Sequence, residues 1–135
     1  MAYPITEIQG IGTDVAAILK QDGIRTTLGL LRSAKTPKQR LELAAKTGAP
    51  KAAVLDWVTA ADRMRIKGVG AEYAELLRVA GVRTANELRF RNAEKLAEAM
   101  RAANAKRKLV SVQPSAKMVM RWIQFAKALP PAIRY

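Results

Sequence analysis

Two glycine-hydrophobe-glycine triplets are the residues best suited to hold a ligand. They are Gly10-Ile11-Gly12 and Gly68-Val69-Gly70, and each lies between a short apolar segment and a longer one with helical periodicity. The two glycines permit a tight turn with positive φ and a close approach by another backbone, while the hydrophobe between them can enter the core. The free N–H groups of the turn and of the following helix would form a small concave site for an anion such as phosphate.

Charged neighbours make the two triplets unequal. Arg65 and Lys67 flank the second triplet, whereas the neutral Gln9 precedes the first. Asp14 and Glu72 each follow a triplet by two residues. A carboxylate there stabilises the helix N-terminus, but it would also repel a phosphate and compete for the same N–H groups. The second triplet is therefore the better phosphate site, and purely structural turns are the alternative, above all for the first.

Basic side chains near the C-terminus form the second candidate surface. They are Arg101, Lys106, Arg107, Lys108, Lys117 and Arg121. Lys117 and Arg121 are four residues apart and share one face of a helix. Each phosphate neutralised by such a cation releases counterions, so binding would weaken with salt and would not depend on base sequence. A solvated positive surface without a partner is the alternative interpretation.

The charge of the whole chain is concentrated in its second half. The chain carries 24 Lys and Arg against 11 Asp and Glu, a formal net charge of +13. Residues 1–62 have a net charge of +2, residues 63–135 have +11, and no acidic residue follows Glu98. This asymmetry indicates a polyanionic partner, because solubility alone does not require one-sided charge.

Missing residue types exclude most catalytic and metal chemistry. The chain has no cysteine and no histidine, which excludes disulfides, thiolate or imidazole metal sites and Ser-His-Asp triads. A lysine Schiff base is the remaining enzymatic route, and Lys20 with Asp56 or Asp62 could support it only loosely. We therefore expect no enzyme, no metal and no cofactor. No apolar run is long enough to span a membrane and the first residues do not resemble a signal peptide, so we expect a cytoplasmic protein.

An internal repeat relates the two triplets. At an offset of 58, residues 8–31 align with residues 66–89, and nine of the 24 pairs are identical. The aligned residues include the triplet glycines, Gly23 with Gly81, and Thr26 with Thr84. Trp57 and Trp122 occupy similar places later in each copy and are predicted to anchor the core. A repeat of this length predicts two copies of one helical unit, residues 1–64 and residues 65–135.

The local patterns predict helices along the whole chain. A chain of 135 residues with 50% apolar residues, 25 of them alanine, can bury one core of closely packed helices. We predict a short first turn near residues 3–8 and place Pro37, Pro50 and Pro114 at the first position of helices. Leu109–Val112 is predicted to be a loop, and the predicted helices span residues 13–22, 27–34, 37–47, 50–64, 71–80, 85–91, 93–104 and 115–129.

The paired triplets resemble the helix-hairpin-helix motif of DNA repair and recombination proteins. After the second glycine, both copies have alanine at the fourth position, leucine at the seventh and glycine at the eleventh. The whole chain more closely resembles domain of unknown function 4332, a family with tandem helix-hairpin-helix units. That resemblance is carried by Arg65–Thr84, Glu87-Leu88, Asn104–Leu109 and Arg121–Ile123. DNA-binding hairpins commonly place a lysine or another donor where this chain has Asp14 and Glu72.

Together these patterns predict an all-α protein made of two pseudo-symmetric helix-hairpin-helix repeats packed into one domain. The function that we expect is non-enzymatic, sequence-independent binding of double-stranded DNA through the basic second half and the glycine turns. The alternative is a protein-interaction or scaffold module, whose hairpins are structural and whose basic face meets an acidic protein. The acidic residues after both triplets favour the alternative, and the charge of the second half favours DNA.

Overall fold

Side chains that cap helix N-termini set many element boundaries in residues 2–135, which the computed structural model describes. Five caps accept a hydrogen bond from the backbone N–H three residues later: Thr26, Thr36, Thr84, Asn92 and Ser115. Each such cap contributes about 1 kcal/mol to its helix. The helices they begin are α2 (Thr27–Ser33), α3 (Pro37–Thr47), α6 (Ala85–Leu88), α7 (Ala93–Arg107) and α8 (Ala116–Lys127).

The remaining helices begin without a side-chain cap. A short 3-10 helix (Ile5–Glu7) precedes the first glycine turn, and α1 (Thr13–Gln21) follows it. Helix α4 (Lys51–Arg63) begins after Pro50, and α5 (Ala71–Val79) follows the second glycine turn. In the part of the chain that the structure describes, the one β-type contact is an isolated bridge between Pro4 and Thr26. The prediction of an all-α fold is confirmed.

The helices pack around a single apolar cluster that contains residues from both halves of the sequence. Helices α2 and α3 pack on α4, and α1 packs on α3. Helix α7 packs on α8 and α5, α6 packs on α8, and α4 meets α5 between the two halves. Trp57 and Trp122 are only 4% and 3% exposed, so both are core anchors as predicted. Met1, which belongs to the predicted first unit, lies outside the described residues.

The observed helices match the predicted ones with small shifts at their ends. Helix α7 continues to Arg107, three residues beyond the predicted end, and α6 stops at Leu88 rather than at residue 91. Pro37 is the first residue of α3 as predicted. Pro50 is instead the N-cap of α4, and Pro114 precedes the Ser115 cap of α8. Ser115 occupies the N-cap position of α8 because its hydroxyl accepts a hydrogen bond from the Met118 N–H, and Pro114 therefore lies one residue before the cap.

The residues after α8 tie the two halves together. The N–H of Arg134 donates to the carbonyl of Lys35 over 2.9 Å, and the Arg40 guanidinium donates to the carbonyl of Arg134 over 2.6 Å. Arg65 donates to the carbonyl of Pro130 over 3.0 Å. The C-terminal segment is therefore held by backbone groups and buried arginines rather than by its own secondary structure.

Candidate nucleic-acid interface

The first glycine of each triplet has a left-handed backbone. Gly10 has φ +94° and Gly68 has φ +90°, a backbone conformation that residues other than glycine rarely adopt. A tryptophan ring closes the space beside each one: a Cβ on Gly10 would lie 3.3 Å from Trp57 Nε1, and one on Gly68 would lie 3.3 Å from Trp122 Nε1. Both turns are therefore packed against the tryptophan that anchors their half of the core.

The second glycine of each triplet has a different backbone conformation from the first. Gly12 (φ −82°) and Gly70 (φ −91°) are extended, so the positive φ that glycine permits is used at the first glycine of each triplet. Each is the N-cap of the following helix and supplies no capping side chain. In the described chain, the N–H groups of Ala71, Glu72 and Tyr73 consequently have no acceptor. Such free N–H groups are what a bound anion needs.

The hydrophobe of each triplet enters the core as predicted. Ile11 is 7% exposed and Val69 is fully buried. The carbonyls of Ile8 and Ile66 accept hydrogen bonds from Ile11 N–H and Val69 N–H over 3.2 and 3.0 Å. The turns are therefore rigid, and their outward backbone is fixed in place by the core.

Most of the basic side chains named from the sequence are exposed and unpaired. They are Lys67, Arg101, Lys106, Arg107, Lys108, Lys117 and Arg121. Among the described residues, the four ion pairs are Lys46–Asp22, Arg65–Asp62, Arg78–Glu75 and Arg83–Asp56, so none involves these seven side chains. Their charge is therefore not neutralised within the chain.

Arg65 lies in a different environment from the other basic residues. Its side chain is 12% exposed and its Nε donates to Asp62 Oδ1 over 2.8 Å. The other Asp62 oxygen accepts the N–H of Ala85 over 2.8 Å, at the start of α6. Arg65 therefore links α4, α6 and the C-terminal segment, and much of its bonding capacity is used inside the protein. Asp62, one of the two possible partners of Lys20 in Schiff-base chemistry, is held by its contacts with Arg65 and Ala85. Lys20 itself is exposed on α1.

The loop between α7 and α8 is held at several points. The buried Asn104 side chain donates to the carbonyl of Val110 over 3.1 Å and accepts its N–H over 3.0 Å. Lys108 ends α7 in a left-handed conformation (φ 48°), and its N–H donates to the carbonyl of Asn104 over 2.7 Å. Tyr73 on α5 donates to the carbonyl of Val112 over 2.7 Å. The backbone that carries Lys106, Arg107 and Lys108 is thus fixed by the core.

The second glycine turn lies against the same elements that carry the basic residues. Gly68 abuts Trp122 on α8, and the rings of Tyr73 and Trp122 lie 5.3 Å apart. Tyr73 also contacts the α7–α8 loop through Val112. The structure therefore brings the second turn together with α8 and this loop. It places the first turn, Gly10-Ile11-Gly12, against α4 instead.

Two residues, one beside the second turn and one beside the α7–α8 loop, were missed by sequence reasoning. A Cβ on Gly70 would lie 3.9 Å from the Tyr3 hydroxyl, which forms no hydrogen bond within the described chain. Tyr3 is distant from Gly70 in the sequence, so no local pattern connects the two residues. Asn104 is the other, and its position in a basic, alanine-rich helix conceals that it is buried.

Neither a metal site nor a membrane-spanning helix is found in residues 2–135. No three His, Cys, Asp or Glu side chains there cluster closely enough to hold a metal ion. No helix among them combines the length and apolar character that crossing a membrane requires.

Comparison with protein families gives one match. The family model described as "Domain of unknown function (DUF4332)" matches residues 9–129. The chain belongs to this family. The DUF4332 match begins at the first glycine turn and continues past the end of α8. It therefore includes both glycine turns and the basic residues from Arg101 to Arg121. Searches of curated proteins and of solved structures found no match.

Proposed function

We propose that this protein binds double-stranded DNA without sequence preference and without enzymatic activity. The interface would consist of the second glycine turn, the C-terminal part of α7, the α7–α8 loop and the exposed face of α8. It would act in the cytoplasm. In this proposal the two glycine turns are helix-hairpin-helix motifs and the two halves are pseudo-symmetric repeats of one unit.

The observation that carries the proposal is the concentration of unpaired positive charge beside a rigid turn with free N–H groups. Seven exposed Lys and Arg side chains of the second half form no ion pair within the described chain. Helix α8 and the α7–α8 loop contact the second turn through Trp122 and Tyr73, and they carry three of the seven: Lys108, Lys117 and Arg121. Arg101, Lys106 and Arg107 lie on α7, which packs on α5 and α8. Lysine and arginine contacts to phosphates supply affinity without reading bases.

The second turn would contribute backbone contacts to one phosphate. Free N–H groups at the start of α5 and the nearby Tyr3 hydroxyl are available donors, and Lys67 adds a charge. Glu72 is exposed in the first turn of α5 and opposes an anion there. We therefore assign most of the affinity to side-chain cations and a smaller share to the turn. Arg65, which is tied to Asp62, would support the turn rather than contact DNA.

The features shared by the two turns support the repeat and hairpin interpretation. Gly23 and Gly81 both have positive φ after α1 and α5, at 82° and 99°. Thr26 and Thr84 cap the helices that follow. Equal backbone geometry at aligned residues is what duplication of one unit would produce. The first turn, Gly10-Ile11-Gly12, would then be the structural copy, since it lies in the half with little net charge.

An acidic protein partner is the second candidate. It is favoured by exposed apolar side chains on the basic helix α8, where Met120 is 44% and Phe125 is 38% exposed. DNA backbone contacts do not need such groups, whereas protein interfaces are enriched in Met and Phe. Lys117 and Arg121 on the same helix would then pair with carboxylates of the partner.

A titration with labelled DNA separates the two candidates. Fluorescence anisotropy of a 30-base-pair duplex of arbitrary sequence is measured at low and near-physiological salt. DNA binding predicts submicromolar affinity at low salt that falls log-linearly with salt concentration. It also predicts that Gly70→Ala weakens binding at both salt concentrations, because the methyl group lies among the free donors. Absence of binding at low salt, despite the charge of +13, would contradict the proposal.

A further inference from the structure

A polar cleft opens between the first glycine turn and helices α4 and α5. Its volume is about 280 Å³, just below the range of drug-sized ligand sites, so it suits only a small molecule. Gly10 lines it from the turn, Ala60 and Arg63 from α4, and Ala74 and Glu75 from α5. Ala71, at the start of α5, also lines the cleft and is the residue that it shares with the proposed DNA-contacting turn.

Arg63 supplies the cleft with a buried hydrogen-bond donor. Its side chain is 2% exposed, and its Nε and Nη1 donate to the carbonyls of Ala74 and Arg83, each over 2.8 Å. Nη2 has no acceptor within the described residues and is not fully enclosed, and Arg63 is one of the residues that line the cleft. Burial lowers the pKa of Arg63 to about 10, which leaves it charged at neutral pH.

Arg40 shows how a buried arginine is bound elsewhere in this chain. It is 5% exposed, and both of its terminal nitrogens donate to carbonyls: Nη1 to Ala34 and Lys35, and Nη2 to Arg134. The fold therefore supplies acceptors to both ends of that guanidinium. Arg63 differs because one of its terminal nitrogens, Nη2, has no acceptor within the described residues.

The charges around Arg63 are arranged in two levels. In the deeper level, Arg63 lies beside Glu75, whose side chain is 11% exposed. Glu75 is also bound by Arg78, whose side chain is 47% exposed, and the three groups together carry one net positive charge. At the mouth, Glu7 and Asp56 are exposed carboxylates. The Asp56 side chain is 70% exposed and has only a loose contact of 4.0 Å with Arg83. The cleft thus has a charged arginine at its floor and two exposed carboxylates at its rim.

We propose that this cleft binds a small zwitterion that carries a carboxylate and an amine. The carboxylate would accept from Arg63 at the floor, and the ammonium group would lie between Glu7 and Asp56 at the mouth. The rim opposes an anion that lacks the amine, and the floor opposes a cation that lacks the carboxylate. This site does not depend on the proposed DNA binding.

Three probes with the same carbon chain test the proposal: γ-aminobutyrate, butyrate and n-butylamine. Each is titrated into the ¹⁵N-labelled full chain at pH 7 and constant ionic strength, and the amide NMR shifts are followed. We expect γ-aminobutyrate to cause saturable shifts at Gly10, Ala60 and Ala74. Its dissociation constant should be about threefold or more below those of butyrate and butylamine, as one added exposed ion pair allows.

Asp56→Asn tests the rim without disturbing the core, because Asp56 is mostly exposed. It should raise the dissociation constant of γ-aminobutyrate toward that of butyrate, because Glu7 then remains the only one of the two mouth carboxylates that attracts the ammonium group. The matched control Asp14→Asn removes an exposed carboxylate of α1 that does not line the cleft and should leave the affinity unchanged. Equal affinity for γ-aminobutyrate and butyrate, insensitivity to Asp56→Asn, or no saturable shift at the cleft would each overturn the proposal.

Discussion

At the scale of single residues, the two glycines of the second triplet are needed for different reasons. Gly68 has positive φ and lies against Trp122, so a side chain there meets both backbone strain and a buried ring. Gly70 is extended, and its nearest neighbour is the Tyr3 side chain at ordinary contact distance. Gly68 is therefore required by the conformation and packing of the turn, whereas Gly70 leaves space beside the free N–H groups of α5.

This difference predicts unequal effects of the same substitution. Gly68→Ala should lower the free energy of unfolding by about 2 kcal/mol, the scale of left-handed strain in a residue with a Cβ. Gly70→Ala should lower it by less than about 1 kcal/mol, because alanine is only a poorer N-cap there. Urea denaturation of both variants measures the difference. Equal losses would mean that the conformation of Gly68 is not the one described.

Asn104 predicts a second residue-level effect. Asn104→Ala would leave the N–H and carbonyl of Val110 without their buried partner, which should cost about 2–3 kcal/mol of unfolding free energy. The matched control Asn86→Ala changes an exposed asparagine and should cost less than about 0.5 kcal/mol. Thermal and urea unfolding provide the comparison, and similar losses in both variants would contradict the assigned role of Asn104.

At the scale of elements, apolar periodicity and capping residues were enough to predict all eight helices. The errors lie where tertiary contacts decide the end of a helix. Helix α7 passes its predicted end because Asn104 turns inward to bind Val110 and Lys108 adopts a left-handed conformation. Neither feature has a local signature, since asparagine and lysine are usually exposed and left-handed caps are usually glycine.

Lys108 therefore permits a substitution that separates stability from DNA affinity. Lys108→Gly should raise the free energy of unfolding by up to about 1 kcal/mol, because glycine adopts the C-terminal left-handed conformation without strain. The same change removes one exposed cation and should lower DNA affinity at low salt. Urea denaturation and duplex titration of this variant are compared with wild type. A loss of stability, or an unchanged affinity, would contradict one of these assignments.

At the scale of the whole molecule, the charge asymmetry was visible in the sequence, but the pairing of individual charged side chains within the fold was not. Arg65 was predicted to contact phosphate beside Lys67, and the structure pairs it with Asp62. Asp62 precedes the second unit and Ala85 follows α5, so folding alone brings this group together. The cleft at Arg63 was likewise outside the reach of sequence patterns, because residues of the first turn, α4 and α5 form it jointly.

The absence of histidine makes a prediction about pH for the whole molecule. No side chain in the sequence has its ordinary titration range between pH 6 and 8, whereas the Lys and Arg side chains stay charged there. DNA affinity and its salt dependence should therefore change by less than about twofold across this interval at constant ionic strength. Anisotropy titrations at pH 6, 7 and 8 measure this, and a strong pH dependence would contradict binding through these cations.

The central claim is that the position of the positive charge, and not its total, determines DNA binding. Two triple variants test it. The loop variant carries Lys106→Glu, Arg107→Glu and Lys108→Glu, where α7 ends and the α7–α8 loop begins. The first-half variant carries Lys20→Glu, Lys38→Glu and Lys51→Glu at exposed sites. Both variants change the net charge by the same six units, so a non-specific effect of charge is equal in the two.

The measurement is the slope of log affinity against log salt for a 30-base-pair duplex. We predict that the loop variant loses affinity and that its slope becomes shallower by about 2–3, near 0.9 for each lost phosphate contact. The first-half variant should keep a slope close to that of wild type. Equal losses in the two variants, or an unchanged slope in the loop variant, would contradict an interface at the second glycine turn, the α7–α8 loop and α8.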